Sequence, residues 1–194
     1  MNTRKRIDFD RYMVQAPAAP VGGGLICEGM SEFMSDSFAL AEVISLVKKD
    51  TTVYWVSNGD WSMHEMLMAL LDITGPAHVS ISSYAMSESP ARILALLKDK
   101  GSILSLGCVL DNRIDVRTAG SFQLMKGISD RLVLVDTHAK VTVITNNSWS
   151  IAVIGSANYT ENKRYEAGII TTNPFAVAMQ LKWIDKAIND GIQQ

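Results

Sequence analysis

A chain of 194 residues with 47% hydrophobic and 20% charged side chains has the composition of one globular α/β domain that buries a core without staples. Its formal charge of −2 and pI near 5.9 exclude a surface that attracts nucleic acid over its whole extent, so any phosphate site must be local. Cys27 and Cys108 are the only cysteines and neither has a close Cys or His partner, which excludes a disulfide framework and leaves metal ligation unsupported. The amino terminus lacks the continuous apolar segment of a signal peptide, and no apolar stretch reaches the ~20 residues needed to span a bilayer. The expectation is a soluble protein of the reducing cytoplasm with no membrane partner.

In chain order, residues 1–30 read as an arm or linker, and residues 31–194 as the α/β domain. Arg4, Lys5 and Arg6 make a solvated basic tail, and Ala16 to Pro20 followed by Gly22, Gly23 and Gly24 prevents a regular element. No strand precedes those glycines and no Gly-Lys-Ser/Thr follows, so they are a linker and not a phosphate loop. From Ser35, the spacing of Phe38, Leu40, Ala41, Ile44, Leu46 and Val47 predicts a helix ending near Lys49. A short buried strand is expected over 53–56. Ser57-Asn58-Gly59-Asp60 then turns the chain into an amphipathic helix over 62–73, which Gly75-Pro76 closes.

A strand over 79–84 precedes a helix that starts at Ser89-Pro90 and runs to Lys100, with proline at the first helical position. A strand over 103–110 follows, then a less regular segment. Four short strands come next, over 132–135, 139–144, 151–154 and 167–171. Asn173-Pro174 caps a final helix whose apolar face holds Phe175, Ala178, Leu181, Trp183, Ile184 and Ile188. The alternation of strand and helix predicts a mixed central sheet flanked by helices.

The chemistry gathers near the carboxyl end. His138 and Lys140 are two apart on a predicted strand, so both side chains share one face, and Asp136 shares it too. After the turn-rich Asn146-Asn147-Ser148, the next strand delivers Gly155-Ser156-Ala157-Asn158 to the same pocket. An imidazole can attack phosphorus, while Lys140, Ser156 and Asn158 donate to oxygens that gain charge, and no metal is then required. His64 and His78 lack such company and read as structural. Trp55 and Trp61 read as core, and Asn58 falls in the turn between them. Ser82, Ser83 and Ser87 lie near a strand's carboxyl end but have no paired base, which rejects a serine hydrolase.

These residues resemble the phospholipase D superfamily signature: His-x-Lys-x4-Asp, then Gly-Ser-x-Asn, then an acidic residue ahead of a strand. His138, Lys140, Gly155, Ser156 and Asn158 match in order, and Glu166 stands where the later acidic residue is expected. The resemblance extends from about Val53 to Ile170. One position departs, because Thr145 stands where the motif has aspartate. The resemblance implies a phospholipase D-like half-site domain and a metal-independent phosphodiesterase that forms a phosphohistidine on His138. Lys140, Ser156 and Asn158 would hold the phosphate, and Glu166 would orient the histidine. Small single-motif members are mostly nucleases, so nucleic acid is the first substrate expected. A single motif also implies a homodimer sharing one active site, with His138 of each copy facing the other across an interface drawn from a methionine-rich and aromatic surface. The alternative, favoured by Thr145 and the acidic charge, is a degenerate non-catalytic member that binds phosphate or nucleic acid or serves assembly. A lipid substrate has no amphipathic basic helix or lipid anchor to support it.

Overall fold

The structure, a computed structural model, describes residues 39–161 and 163–192. The arm expected over residues 1–30 and the start of the first helix lie outside the described residues. The elements run α1 (Leu40–Ser45), β1 (Thr52–Ser57), α2 (Met63–Thr74), β2 (Ala77–Ser83), α3 (Glu88–Asp99), β3 (Ile103–Asp111), α4 (Ile114–Arg117), α5 (Ala119–Ile128), β4 (Arg131–Val135), β5 (Val141–Thr145), β6 (Ser150–Gly155), β7 (Glu166–Thr171) and α6 (Pro174–Ile192).

Several boundaries have visible causes. α1 stops short of Lys49 because the chain turns through Asp50 at φ 56°, and Thr51 Oγ1 donates to the Lys48 carbonyl at 2.8 Å. α2 starts at a capping box in which Ser62 N–H donates to Glu65 Oε2 at 2.8 Å. Pro90 is the third residue of α3, not the first, and it costs nothing there because first-turn amides have no partner within the helix. Asn173 Oδ1 accepts from the amides of Phe175 and Ala176 at 3.0 and 3.1 Å and caps α6 as expected. The less regular segment after β3 is helical, forming α4 and α5. Its glycines, Gly120 and Gly127, mask an apolar face made by Phe122, Met125 and Ile128.

The seven strands form one mixed sheet in the order β1-β7-β6-β5-β2-β3-β4. β2, β3 and β4 run parallel, and β5 is antiparallel to both of its neighbours, β2 and β6. Helices cover both faces, as the alternating pattern predicts. A larger core packs α2 and α3 under the sheet, with Met66, Leu67, Leu70 and Leu94 fully buried. A smaller one packs Val177, Ile184 and Ile188 of α6 against Val109, Val143 and Ala152. Trp55 and Trp61 belong to the first core, their rings 5.0 Å apart. Cys108 is buried there as well, and burial pushes its thiol up to about 12. Among the described residues no helix is long and apolar enough to cross a membrane.

Among the described residues, Met63, Met66, Met86 and Met125 are buried and Met179 is exposed. The flexible thioether chains of the four buried ones fill gaps in the core.

Glycine has a clear packing role where β6 and β7 pass Trp55. Gly168 pairs with Trp55 on β1 and with Gly155 on β6, and a Cβ on Gly168 would lie 2.3 Å from the Ile154 carbonyl oxygen and 2.6 Å from Trp55 Cζ2. Gly168→Ala is therefore expected to destabilise the fold by about 2–3 kcal/mol through overpacking. Urea denaturation measures this, and an unchanged midpoint would contradict the packing.

Candidate active site

The sheet topology sends seven chain ends to one rim. β1, β2, β3, β4 and β6 finish there, while β5 and β7 begin there. His138 and Lys140 are not inside a strand, as the periodicity predicts, but in the extended segment just before β5. The reason is that Asp136 to Ala139 must still turn the chain from β4 into β5. The Lys140 carbonyl already accepts from Gly155 N–H at 3.2 Å, and Ser82 Oγ donates to the Ala139 carbonyl at 3.2 Å. The segment is thus held from β6 on one side and β2 on the other.

Extended backbone keeps the two side chains together. Lys140 Nζ lies 3.2 Å from His138 Nδ1 and donates to the His138 carbonyl at 2.8 Å. His138 is exposed and Lys140 half-buried. Partial burial lowers the Lys140 pKa, and the nearby charge of Glu166 opposes that shift. Ser156, Asn158 and Glu166 reach the same rim. Ser156 Oγ accepts from Ala167 N–H at 3.0 Å and donates to the Glu166 carboxylate. Asn158 Oδ1 accepts from Ala85 N–H at 3.2 Å, which ties this loop to the end of β2 and leaves its amide nitrogen as the donor end. Below it, Tyr159 is buried and exchanges a hydrogen bond with Thr142 at 2.8 Å.

The orienting partner expected for His138 is occupied elsewhere in this arrangement, because Glu166 is bonded to Ser156. Asp136 is mostly exposed and its nearest cation is Arg113, 4.0 Å away. Thr145 stands at the far end of β5, opposite His78, at the other rim and roughly 17 Å of strand from Lys140. Asn146 beside it anchors the turn there: its Nδ2 donates to the Thr74 carbonyl at 2.9 Å, and its Oδ1 accepts from Trp149 N–H at 2.8 Å. His78 meets Ser105 at 2.7 Å on that rim, and buried His64 meets Ser62 at 2.8 Å.

One neighbour of His138, Tyr84, and the groups around it, Asp111, Arg113 and Arg117, have no signal in the local sequence, because they arrive from the ends of β2 and β3 and from α4. The Tyr84 ring packs 4.7 Å from the imidazole. Arg113, Arg117 and Lys140 place cationic groups 5.0, 5.4 and 5.4 Å from the same ring. Arg117 Nη1 donates to the Tyr84 hydroxyl at 2.7 Å, which lowers the Tyr84 pKa. Arg113 forks onto the fully buried Asp111 at 2.7 and 2.9 Å.

No family model matches the sequence, and no curated protein matches it. Solved structures do resemble the fold. Nuc from Salmonella typhimurium, a phospholipase D family member, superposes at a TM-score of 0.54 with 18% identity, covering 72% of this chain and 96% of that one. NucT from Helicobacter pylori gives 0.55 and 16%, covering 71% and 96%. Phosphatidylserine synthase from Haemophilus influenzae gives 0.52 and 11%; the alignment covers 84% of this chain but 43% of that one. At such identities the likeness is one of fold.

The Asp111–Arg113 pair yields a pH signature. The Arg113 guanidinium holds the Asp111 carboxyl down to about 2, below the ordinary value near ~3.9. A depressed carboxyl contributes stability above its unfolded pKa and loses it as the pH falls through the folded one. The stability gap between wild type and Asp111→Asn is therefore expected to be constant above about pH 5, to narrow as the pH falls below that, and to have lost most of its pH-dependent part by about pH 2. Urea denaturation across that range measures the gap, and a gap independent of pH would contradict the pairing.

Proposed function

We propose that this chain, which has the phospholipase D fold, is a metal-independent phosphodiesterase that cleaves nucleic acid through a phosphohistidine on His138. The observation that supports this reading is that the sheet topology brings the segment carrying His138 and Lys140 to the same rim as Ser156, Asn158 and Glu166, with Glu166 close enough for its charge to act on Lys140. A nitrogen of His138 forms a bond to phosphorus as the bond from phosphorus to the leaving oxygen breaks. That oxygen takes a proton from a second imidazole. Water then adds to phosphorus and gives its proton to the second imidazole, while the bond to His138 breaks. Lys140, Ser156 and Asn158 donate to the phosphoryl oxygens as their charge grows.

Binding reorganises the hydrogen bonds. A phosphate oxygen that accepts the hydrogen bond of the Ser156 hydroxyl releases Glu166, whose carboxylate then accepts from the ring N–H of His138 and stabilises the charged ring. Lys140 turns from the imidazole to the same phosphate.

The second imidazole must come from another copy. His78 is on the opposite rim, and His64 follows β1, which is three strands from β5, about 14 Å across the sheet. Exposed His138 is open to a two-fold partner carrying the same residue, so the active form is a homodimer with one shared site. The Glu166–Ser156 bond favours a second reading, a non-catalytic member that binds a phosphate-bearing strand.

The test is turnover of an aryl phosphodiester and of labelled single- and double-stranded oligonucleotides, with chelator present. Wild type is expected to cleave, and His138→Asn to lose on the order of a thousandfold or more while keeping its fold. Glu166→Gln is expected to lower kcat far more than phosphate affinity. Sedimentation is expected to give a dimer. Strict dependence on a divalent ion, or full activity from a monomer, would overturn the mechanism; oligonucleotide binding without turnover would support the second reading.

A further inference from the structure

Tyr84 joins His138 to a cationic group that the chemistry at phosphorus does not use. Asp111 has no exposed surface, and its two-point bond fixes Arg113 and largely neutralises it. Arg117 is different. It is exposed on α4, and among the described residues no carboxylate oxygen lies within the 4.0 Å of an ion pair to it. Its guanidinium donates to the Tyr84 hydroxyl oxygen at 2.7 Å. Because that oxygen accepts from Arg117, the hydroxyl proton is left to donate. Two donors, one of them charged, therefore meet at the hydroxyl end of a ring that also packs on the imidazole of His138. A chain carrying a single diester would leave this pair unused.

We infer that Arg117 and the Tyr84 hydroxyl form a subsite for the phosphate next to the one being cleaved, so that the substrate is a strand of consecutive phosphodiesters. This rests on reading the His138 rim as the phosphodiester site. Arg113 holds the position of the ring from one side, and Lys140 approaches it from the reacting side. Because the protein is acidic overall, local cations of this kind decide where a polyanion is held.

The experiment compares binding of a thymidine dinucleotide, which has one phosphodiester, with a trinucleotide, which has two, each made with hydrolysis-resistant phosphorothioate linkages, by titration calorimetry of the full chain. Wild type is expected to bind the trinucleotide on the order of tenfold more tightly. Arg117→Gln is expected to abolish that advantage, Arg117→Lys to keep part of it, and Tyr84→Phe to reduce it. Lys126→Gln, an exposed cation in the last turn of α5, is expected to leave it intact. Thermal melts confirm that each variant folds. Equal binding of the two ligands by wild type, or an undiminished advantage in Arg117→Gln, would overturn the subsite. Because binding is read without turnover, an inactive wild type that still shows the Arg117-dependent advantage would refute the catalytic reading while leaving the subsite standing.

Discussion

The direction of β5 is the constraint on which the site depends. Lying antiparallel between β2 and β6, it begins where both neighbours end. Residues just before β5 therefore meet residues just after β2 and β6, although they are far apart in sequence. Ser82 reaches the Ala139 carbonyl and Gly155 reaches the Lys140 carbonyl, so the segment carrying the imidazole and the ammonium is fixed on both edges. A slip of one residue would turn both side chains to the α6 face. The buried Val141–Ile144 run, sandwiched between the two cores, makes such a slip costly.

The same logic explains the small residues of Gly-Ser-x-Asn. Gly155 serves the core rather than the chemistry: a Cβ there would lie 2.9 Å from Trp55 Cζ2 and 2.7 Å from the Ala167 carbonyl oxygen. The close approach of β6 and β7 then puts Ser156 next to Glu166. Asn158 is held one step farther on by the amide of Ala85, and Tyr159 anchors that loop by burying its ring. Packing at the strand ends thus comes first, and the polar groups follow from it.

Much of this was legible in the sequence because its signals are local. The strand and helix alternation, the Asn173 cap and the spacing of His138 and Lys140 each arise within a few residues, and short-range periodicity carries them. The α4–α5 segment was not legible, because Gly120 and Gly127 break up a face that only burial of Ser121 and Met125 reveals. Tyr84, Asp111, Arg113 and Arg117 were invisible for another reason. Nothing nearby in the chain marks them, and their association with His138 exists only once β2, β3 and the segment before β5 share a rim. The far-rim position of Thr145 is likewise a matter of strand length, which the motif's letters do not state.

Cys108 has a consequence of a different kind. Its sulfur is enclosed by the core and receives a hydrogen bond from Ser129 Oγ at 3.4 Å, and with its thiol pushed up to about 12 it stays protonated across the range in which proteins work. A protonated, enclosed thiol neither attacks disulfides nor yields to mild oxidants. Cys108 therefore holds its place in the core equally well in oxidising and in reducing surroundings.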